Sequence, residues 1–277
     1  MFFDFHTHIF PDKIAKGAIE HLVDLAERTT GKGSFVPHTD GTLEGLKRSM
    51  ERAGVDGSLV LPVCTSPKQF DTVNKFAAEI NGKDGIYSFG GIHPECEDIE
   101  DKLDYIKSLG LKGIKLHPIY QCCKIEDEKN LRIVEHCMKI GLYCVFHIGY
   151  DVVDPYGDYC TSKAFAKAYA PLFEKYNEEE QPHIILAHLG GLTTVQDTYD
   201  YLCGLPIYLD TAYSLEQMPT DVIVKIIRSH GASRMLFATD SPWQSQRVCR
   251  ERLASLPISK KEFEDISYGN AARILNI

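Results

Sequence analysis

Met1-Phe2-Phe3-Asp4-Phe5-His6-Thr7-His8-Ile9-Phe10-Pro11 opens the chain. Phe3 and Phe5 alternate with Asp4 and His6, and the run is aromatic and too short for a helix, so it reads as a strand. Residues i and i+2 of a strand share a face, which sets His6 and His8 side by side. Their Cα atoms then lie roughly 6.5 Å apart, from a rise of about 3.3 Å per residue. Two imidazoles converging from that spacing can hold one metal ion; the bland alternative is two core histidines satisfied by hydrogen bonds. The continuation narrows the fold. A nucleotide-binding open sheet wants a glycine-rich turn after its first strand, and Ile9-Phe10-Pro11 stands there instead.

Seven more short apolar runs follow, at residues 57–63, 86–92, 113–116, 142–148, 183–189, 207–210 and 235–238. Amphipathic patterns separate them at 42–52, 97–109, 126–140, 162–176, 215–230 and 244–256, with weaker ones at 68–80 and 194–202. Gly54, Gly110 and Gly141 close three of these as left-handed stops. Strand and helix alternate eight times over 277 residues. This predicts an α/β fold, a (β/α)8 TIM-like barrel forming a single domain over residues 1–277. Two insertions interrupt it. Residues 11–41, after strand one, carry an extra helical pattern at 13–28, and residues 149–161 form a long loop after strand five. Loops after strands ring the active face of a barrel, so these two are candidates for lid and substrate selection. Plain decorative loops are the alternative.

Composition excludes several classes. Apolar content of 44% and charged content of 25% suit a globular protein. No run approaches the roughly 20 apolar residues needed to span a bilayer. The first strand starts at Met1 and leaves no room for a signal peptide, so a cytoplasmic location without a membrane partner is expected. A net charge of −9 argues against a nucleic-acid partner. Nine cysteines, an odd count without a C-x-x-C pair, fit a reduced intracellular protein. The expected partner is a small-molecule substrate, and a homodimer is compatible with the fold.

Barrel enzymes place catalytic groups at the carboxyl ends of their strands. Strand three ends in His93 and Glu95, strand four carries Lys115 and His117, strand five ends in His147, strand six in His188 and strand eight in Asp240. Of eleven histidines, seven lie at strand ends. His6, His8, His147 and Asp240 would give three nitrogens and one oxygen with an open position for water, a set that suits Zn²⁺ and accepts Mn²⁺ or Fe²⁺. Water at such an ion ionises near neutral pH. Asp240 could also take the water's proton, and His188 would polarise a substrate carbonyl or shuttle that proton. Phe10, Tyr150, Tyr156, Tyr213 and Trp243 near the same face are candidates for aromatic clamps or simple packing.

The chain resembles the amidohydrolase superfamily, in its amidohydrolase-2 branch with aminocarboxymuconate semialdehyde decarboxylase and related hydrolases. The residues carrying this likeness are Asp4-Phe5-His6-Thr7-His8, Gly113-Ile114-Lys115-Leu116-His117-Pro118, His147, His188, Thr239-Asp240-Ser241-Pro242 and the closing Tyr268-Gly269-Asn270-Ala271-Ala272-Arg273-Ile274-Leu275. The resemblance implies a TIM-like barrel, zinc as the default metal, His6, His8, His147 and Asp240 as ligands, and His188 as the catalytic or water-orienting histidine. Binuclear branches of that superfamily carboxylate a strand-four lysine to bridge two ions. Lys115 is placed for that role, with His147 and His188 then holding the second ion. Left unmodified, its ammonium suits a substrate carboxylate. One ion is favoured over two.

Three activities remain open. A metal-dependent hydrolase would cleave an amide, lactone or similar bond through a metal-activated water. A non-oxidative decarboxylase of an aryl or enol carboxylate would use the same ligands. The Gly-Ile-His-Pro run at His93 also looks like TatD-type phosphodiesterases, against which stand the missing Glu before Thr239-Asp240 and the negative charge. His117 and His93 stay as candidates for bridging or substrate binding.

Overall fold

Residues 1–152, 159–175, 183–192 and 195–277 are described by the computed structural model. The strands are β1 (Phe3–Thr7), β2 (Gly57–Val60), β3 (Ile86–Ser88), β4 (Gly90–Gly91), β5 (Gly113–Leu116), β6 (Tyr143–Phe146), β7 (Ile184–Leu186), β8 (Tyr208–Asp210) and β9 (Met235–Leu236). All pair in parallel, in the orders β1-β2-β3 and β4 through β9. β3 and β4 are one run interrupted at Phe89, whose N–H donates to Val60 O at 3.0 Å. Nine segments therefore make eight staves. Backbone bonds close the ring between β1 and the segment after β9: Phe5 N to Phe237 O (2.8 Å), Asp240 N to His6 O (2.9 Å) and His8 N to Ser241 O (2.6 Å). The expected (β/α)8 barrel is the fold this chain adopts.

The helices between strands are α1 (Asp12–Thr30), α2 (Leu43–Ala53), α3 (Phe70–Ile80), α4 (Ile99–Ser108), α5 (Glu128–Ile140), α6 (Ser162–Lys175), α7 (Val195–Asp197), α8 (Thr220–His230) and α9 (Gln246–Ala254). Their ends follow local chemistry. Thr42 caps α2 by accepting from Gly45 N, and Gly54 stops it at φ 65°. α8 starts five residues later than the periodicity suggests, because Pro219 precedes it and suits a helix start rather than an interior. The pattern at 194–202 becomes the three-residue α7 and a π-helical turn at Thr198–Leu202. No helix is expected from the sequence beyond residue 256, yet α10 (Lys260–Glu264) and α11 (Asn270–Leu275) follow. A reciprocal Ser259–Glu262 capping box starts α10, and that S-x-x-E spacing was its legible signal.

Side-chain alternation splits the core. Ile114, Leu116, Cys144, Phe146, Ile184 and Leu186 pack outward under the helices, while Phe3, Phe5, Leu59, Phe89, Val145, Ile185 and Leu236 fill the barrel. Gly113 leaves room for the Phe89 ring, which a Cβ there would meet at 2.5 Å. Ala271, Ile274 and Leu275 of α11 join this inner cluster with Tyr87, Tyr143 and Tyr208 and plug the amino-terminal end. The polar strand ends are thus left at the other mouth.

β1 departs from strict alternation. Its register with β2 shifts between Asp4 and Thr7. Across that irregularity Phe5 joins the interior cluster and His6 also turns inward, while Asp4 faces out to Gln246 of α9. A one-residue irregularity re-aims a side chain in this way.

Among the described residues no helix is long and apolar enough to cross a membrane. The nine cysteines are unbridged. Most of the 11–41 insertion is α1; its return segment leans on the strand-eight loop, with Phe35 and Trp243 rings 5.0 Å apart and His38 N donating to Pro242 O at 2.7 Å. Trp243 is thereby engaged in packing. Tyr156, residues 153–158 of the second loop, Tyr176 and Thr194 lie outside the described residues.

Candidate metal centre

Three side chains from opposite ends of the sequence converge at the mouth. His6 Nε2 lies 3.2 Å from His8 Nε2, and Asp240 Oδ1 lies 3.4 Å from the first and 3.2 Å from the second. Donors about 2.1 Å from one ion in tetrahedral array stand roughly 3.4 Å apart, so these separations fit a shared cation. The hydrogen bonds behind the rings point the same way. His6 Nδ1 is 2.8 Å from Asp210 Oδ2, and His8 Nδ1 is 2.8 Å from Leu61 O. Both partners accept only, so each Nδ1 carries a hydrogen and each neutral ring turns a bare Nε2 lone pair inward. Two lone pairs and a carboxylate facing one another attract positive charge, part of which the Lys115 ammonium supplies from 3.2 Å off His6 Nε2.

Burial, and then Lys115, hold the His6 imidazolium far below its ordinary range, which keeps the ring neutral. For Asp240 burial is the largest influence and opposes ionisation, but the adjoining His8, His6 and His188 rings outweigh it, leaving the carboxyl below its usual value. Backbone strain gathers here too. His188, Tyr213 and Asp240 adopt left-handed φ of 59°, 57° and 67°, a conformation residues hold at functional sites when their surroundings impose it.

His147 does not join the triad. Its Nδ1 sits 3.0 Å from His188 Nε2, and its Nε2 faces Asp151 Oδ2 across 3.9 Å, so it groups with His117 and Asp151. The four-donor shell expected from the sequence is therefore, in this arrangement, three donors with a His147–His188 pair beside them. The reason is tertiary: His188 is pinned by Nδ1 to Ala212 O (2.9 Å) and by its main-chain N to Asp210 Oδ1 (3.0 Å), and His147 follows it. His93 accepts from Glu95 N at 3.1 Å and belongs to neither group.

Sequence reasoning passed over three acids. Asp210 ends β8, fully buried, and holds both His6 and His188. Its place at a strand terminus was the available signal. Asp4 accepts from Thr239 N (3.0 Å), Thr239 Oγ1 (2.6 Å) and Gln246 Nε2 (2.8 Å), tying β1 to the Asp240 loop. Burial pushes its carboxyl up to about 7 against the pull of those donors. Asp151 lies in the loop after β6, where no local pattern marks it.

Lys115 is almost wholly buried, with Nζ 3.2 Å from His6 Nε2. Burial lowers its ammonium to about 8 despite the attraction of Asp210 and Asp240. The unfolded chain then holds this proton more tightly than the folded one, so stability rises with pH between about 8 and the ordinary 10.5. Metal-free protein is expected to gain about 3 kcal/mol across that window, a gain Lys115→Met should lack. Urea unfolding at a series of pH values measures it; equal slopes in both proteins would rule the effect out.

The chain belongs to the amidohydrolase family, whose sequence pattern it matches over residues 3–277. No curated protein matches it at significance. Solved structures of the same fold include a TIM-barrel protein from Bordetella bronchiseptica, with 19% identity over 99% of this chain and 98% of that one and a TM-score of 0.75. A dihydroxybenzoic acid decarboxylase from Polaromonas, holding manganese and the inhibitor 2-nitroresorcinol, aligns with a TM-score of 0.68 at 14% identity, over 99% and 96% of the two chains. A probable 2-pyrone-4,6-dicarboxylic acid hydrolase from Acinetobacter baumannii, with citric acid bound, aligns with a TM-score of 0.63 at 10% identity, over 100% and 99%.

Proposed function

We propose that the chain is a metal-dependent hydrolase acting on a small polar molecule that carries a carboxylate, at a lactone, amide or similar bond. The convergence of His6, His8 and Asp240 carries this reading. One divalent ion of the Zn²⁺ class, with Mn²⁺ and Fe²⁺ as alternatives, fits that triad. Such an ion supplies a Lewis acid and draws the pKa of water toward neutrality. Asp240, the ionised member of the triad, would accept the proton that an attacking water gives up and return it to the leaving group. His188 has Nδ1 committed to Ala212 O and its Nε2 3.0 Å from His147 Nδ1, so a proton reaching or leaving His188 passes through Nε2 and the His147 ring bonded there. Lys115 offers a compact cation to the substrate carboxylate.

Decarboxylation is the second reading, and the shared fold of the manganese-holding Polaromonas enzyme favours keeping it. The same groups would then act differently, Asp240 or His188 delivering a proton to carbon as carbon dioxide leaves. Turnover of metal-loaded protein on a panel of lactones, amides, and aryl and enol carboxylates separates the two. Acid release from a lactone or amide is expected, whereas carbon dioxide release would move the assignment to a lyase. On the substrate found, Asp240→Asn should lower kcat by roughly 10²–10⁴-fold. Full activity in that variant would remove Asp240 from its role.

A further inference from the structure

On the outer face of β1 one fully buried carboxylate gathers four donors. Asp4 Oδ1 accepts from Thr239 N at 3.0 Å and, at 3.3 Å, from His6 N. Asp4 Oδ2 accepts from the Thr239 hydroxyl at 2.6 Å and from Gln246 Nε2 at 2.8 Å. Gln246 also donates to Ser58 Oγ of β2 at 3.2 Å, so this net joins β1, β2, α9 and the segment that carries Asp240. Thr239 passes the constraint onward. Its hydroxyl donates to Asp4 and accepts from Ser241 N at 3.1 Å, so the residues on both sides of Asp240 are tied to one oxygen. Asp240 itself holds a left-handed φ of 67°, a conformation that persists only where its neighbours impose it. Its main-chain N donates to His6 O at 2.9 Å, which completes the clamp between the two chain ends.

We propose that Asp4 is a positioning residue for the ion site. Through the Thr239 hydroxyl it holds the Asp240 carboxylate in place against His6 and His8, and so sets the affinity of the triad for its divalent cation. The inference rests on the triad as the place where the ion sits. Partners behind ligating side chains orient them without touching the ion, and Asp4 acts in that way through the backbone on either side of Asp240. Asparagine at this position would keep the shape and exchange one acceptor oxygen for an amide NH₂. Facing the Oδ1 side, that group meets two main-chain N–H donors, which cannot turn away. Facing the Oδ2 side, it meets Gln246, whose amide can turn round to accept, and a Thr239 hydroxyl that already accepts from Ser241 N. In either arrangement Thr239 loses the acceptor for one of its hydrogens.

Zn²⁺ affinity of the folded full chain, read by competition with a chelator of known affinity, tests it. Asp4→Asn should bind roughly 10-fold more weakly than wild type, the low end of the range for such outer partners. Thr239→Val keeps the side-chain shape without the hydroxyl and should lose about as much, and it reports even where Asp4→Asn folds poorly. The Asp4→Asn/Thr239→Val double variant should also lose only about 10-fold, because groups acting in one chain of bonds do not add. Leu103→Ala opens a cavity under α4, outside this net, and should bind as wild type although it is less stable. Wild-type affinity in Asp4→Asn or in Thr239→Val overturns the proposal. So does an additive loss of about 100-fold in the double variant, or a loss in Leu103→Ala equal to that in Asp4→Asn. His8→Ala separates these results from a failure of the triad itself: wild-type affinity in that variant puts the ion elsewhere and overturns both.

Discussion

His6→Ala should lower Zn²⁺ affinity at the triad by well over roughly 100-fold, since loss of a mere outer partner of a ligand already costs about 10–100-fold. The alanine removes one of three converging donors and leaves only Asp240 and His8 to hold an ion. Asp210→Asn should fall in the outer range, a loss of about 10–100-fold, because it touches no ion but sets the orientation of His6 and anchors His188. Titration against a chelator of known affinity, with both variants compared to wild type, reads the two effects. If His6→Ala binds as tightly as wild type, the triad is not where the ion sits. If Asp210→Asn does, the Asp210 bond is structural only.

Phe5→Ala should cost about 3–5 kcal/mol, the range for truncating a buried phenylalanine to alanine. Phe5 is fully buried, and its ring meets Phe89 edge-on at 5.9 Å across the barrel interior. The ring of strands is hydrogen-bonded shut around it, so the cavity has little freedom to collapse. Total stabilities of domains lie near 5–15 kcal/mol, which makes this a large fraction. Denaturant unfolding monitored by circular dichroism measures it, and a loss under about 1 kcal/mol would mean that the interior repacks.

His6 and Phe5 fall within one short strand, and the strand shows how far sequence carries. The i, i+2 rule brought His6 and His8 together correctly, because pleating is a local property of the backbone. The same rule sets Phe5 opposite His6, whereas both face the interior. That depends on a register shift against β2, a neighbour some fifty residues away. Asp240 was legible as a polar residue ending an apolar run. Asp210 ended a run as well, but its task of holding two histidines exists only once strands β1, β7 and β8 share a barrel. The short helices α10 and α11 were missed because five or six residues give too little periodicity, although the cap at Ser259 was readable.

By itself the sequence determined the alternation of strand and helix, hence the barrel, and the polar residues at its carboxyl ends. Hydrophobic period and turn chemistry are local and survive without knowledge of neighbours. Tertiary structure alone decided how those polar residues divide: His6 and His8 with Asp240, and His147 with His188, His117 and Asp151. Each imidazole's ligating atom is chosen by what its other nitrogen bonds, and the acceptors that choose, Asp210, Leu61 O and Ala212 O, come from other strands and their ends.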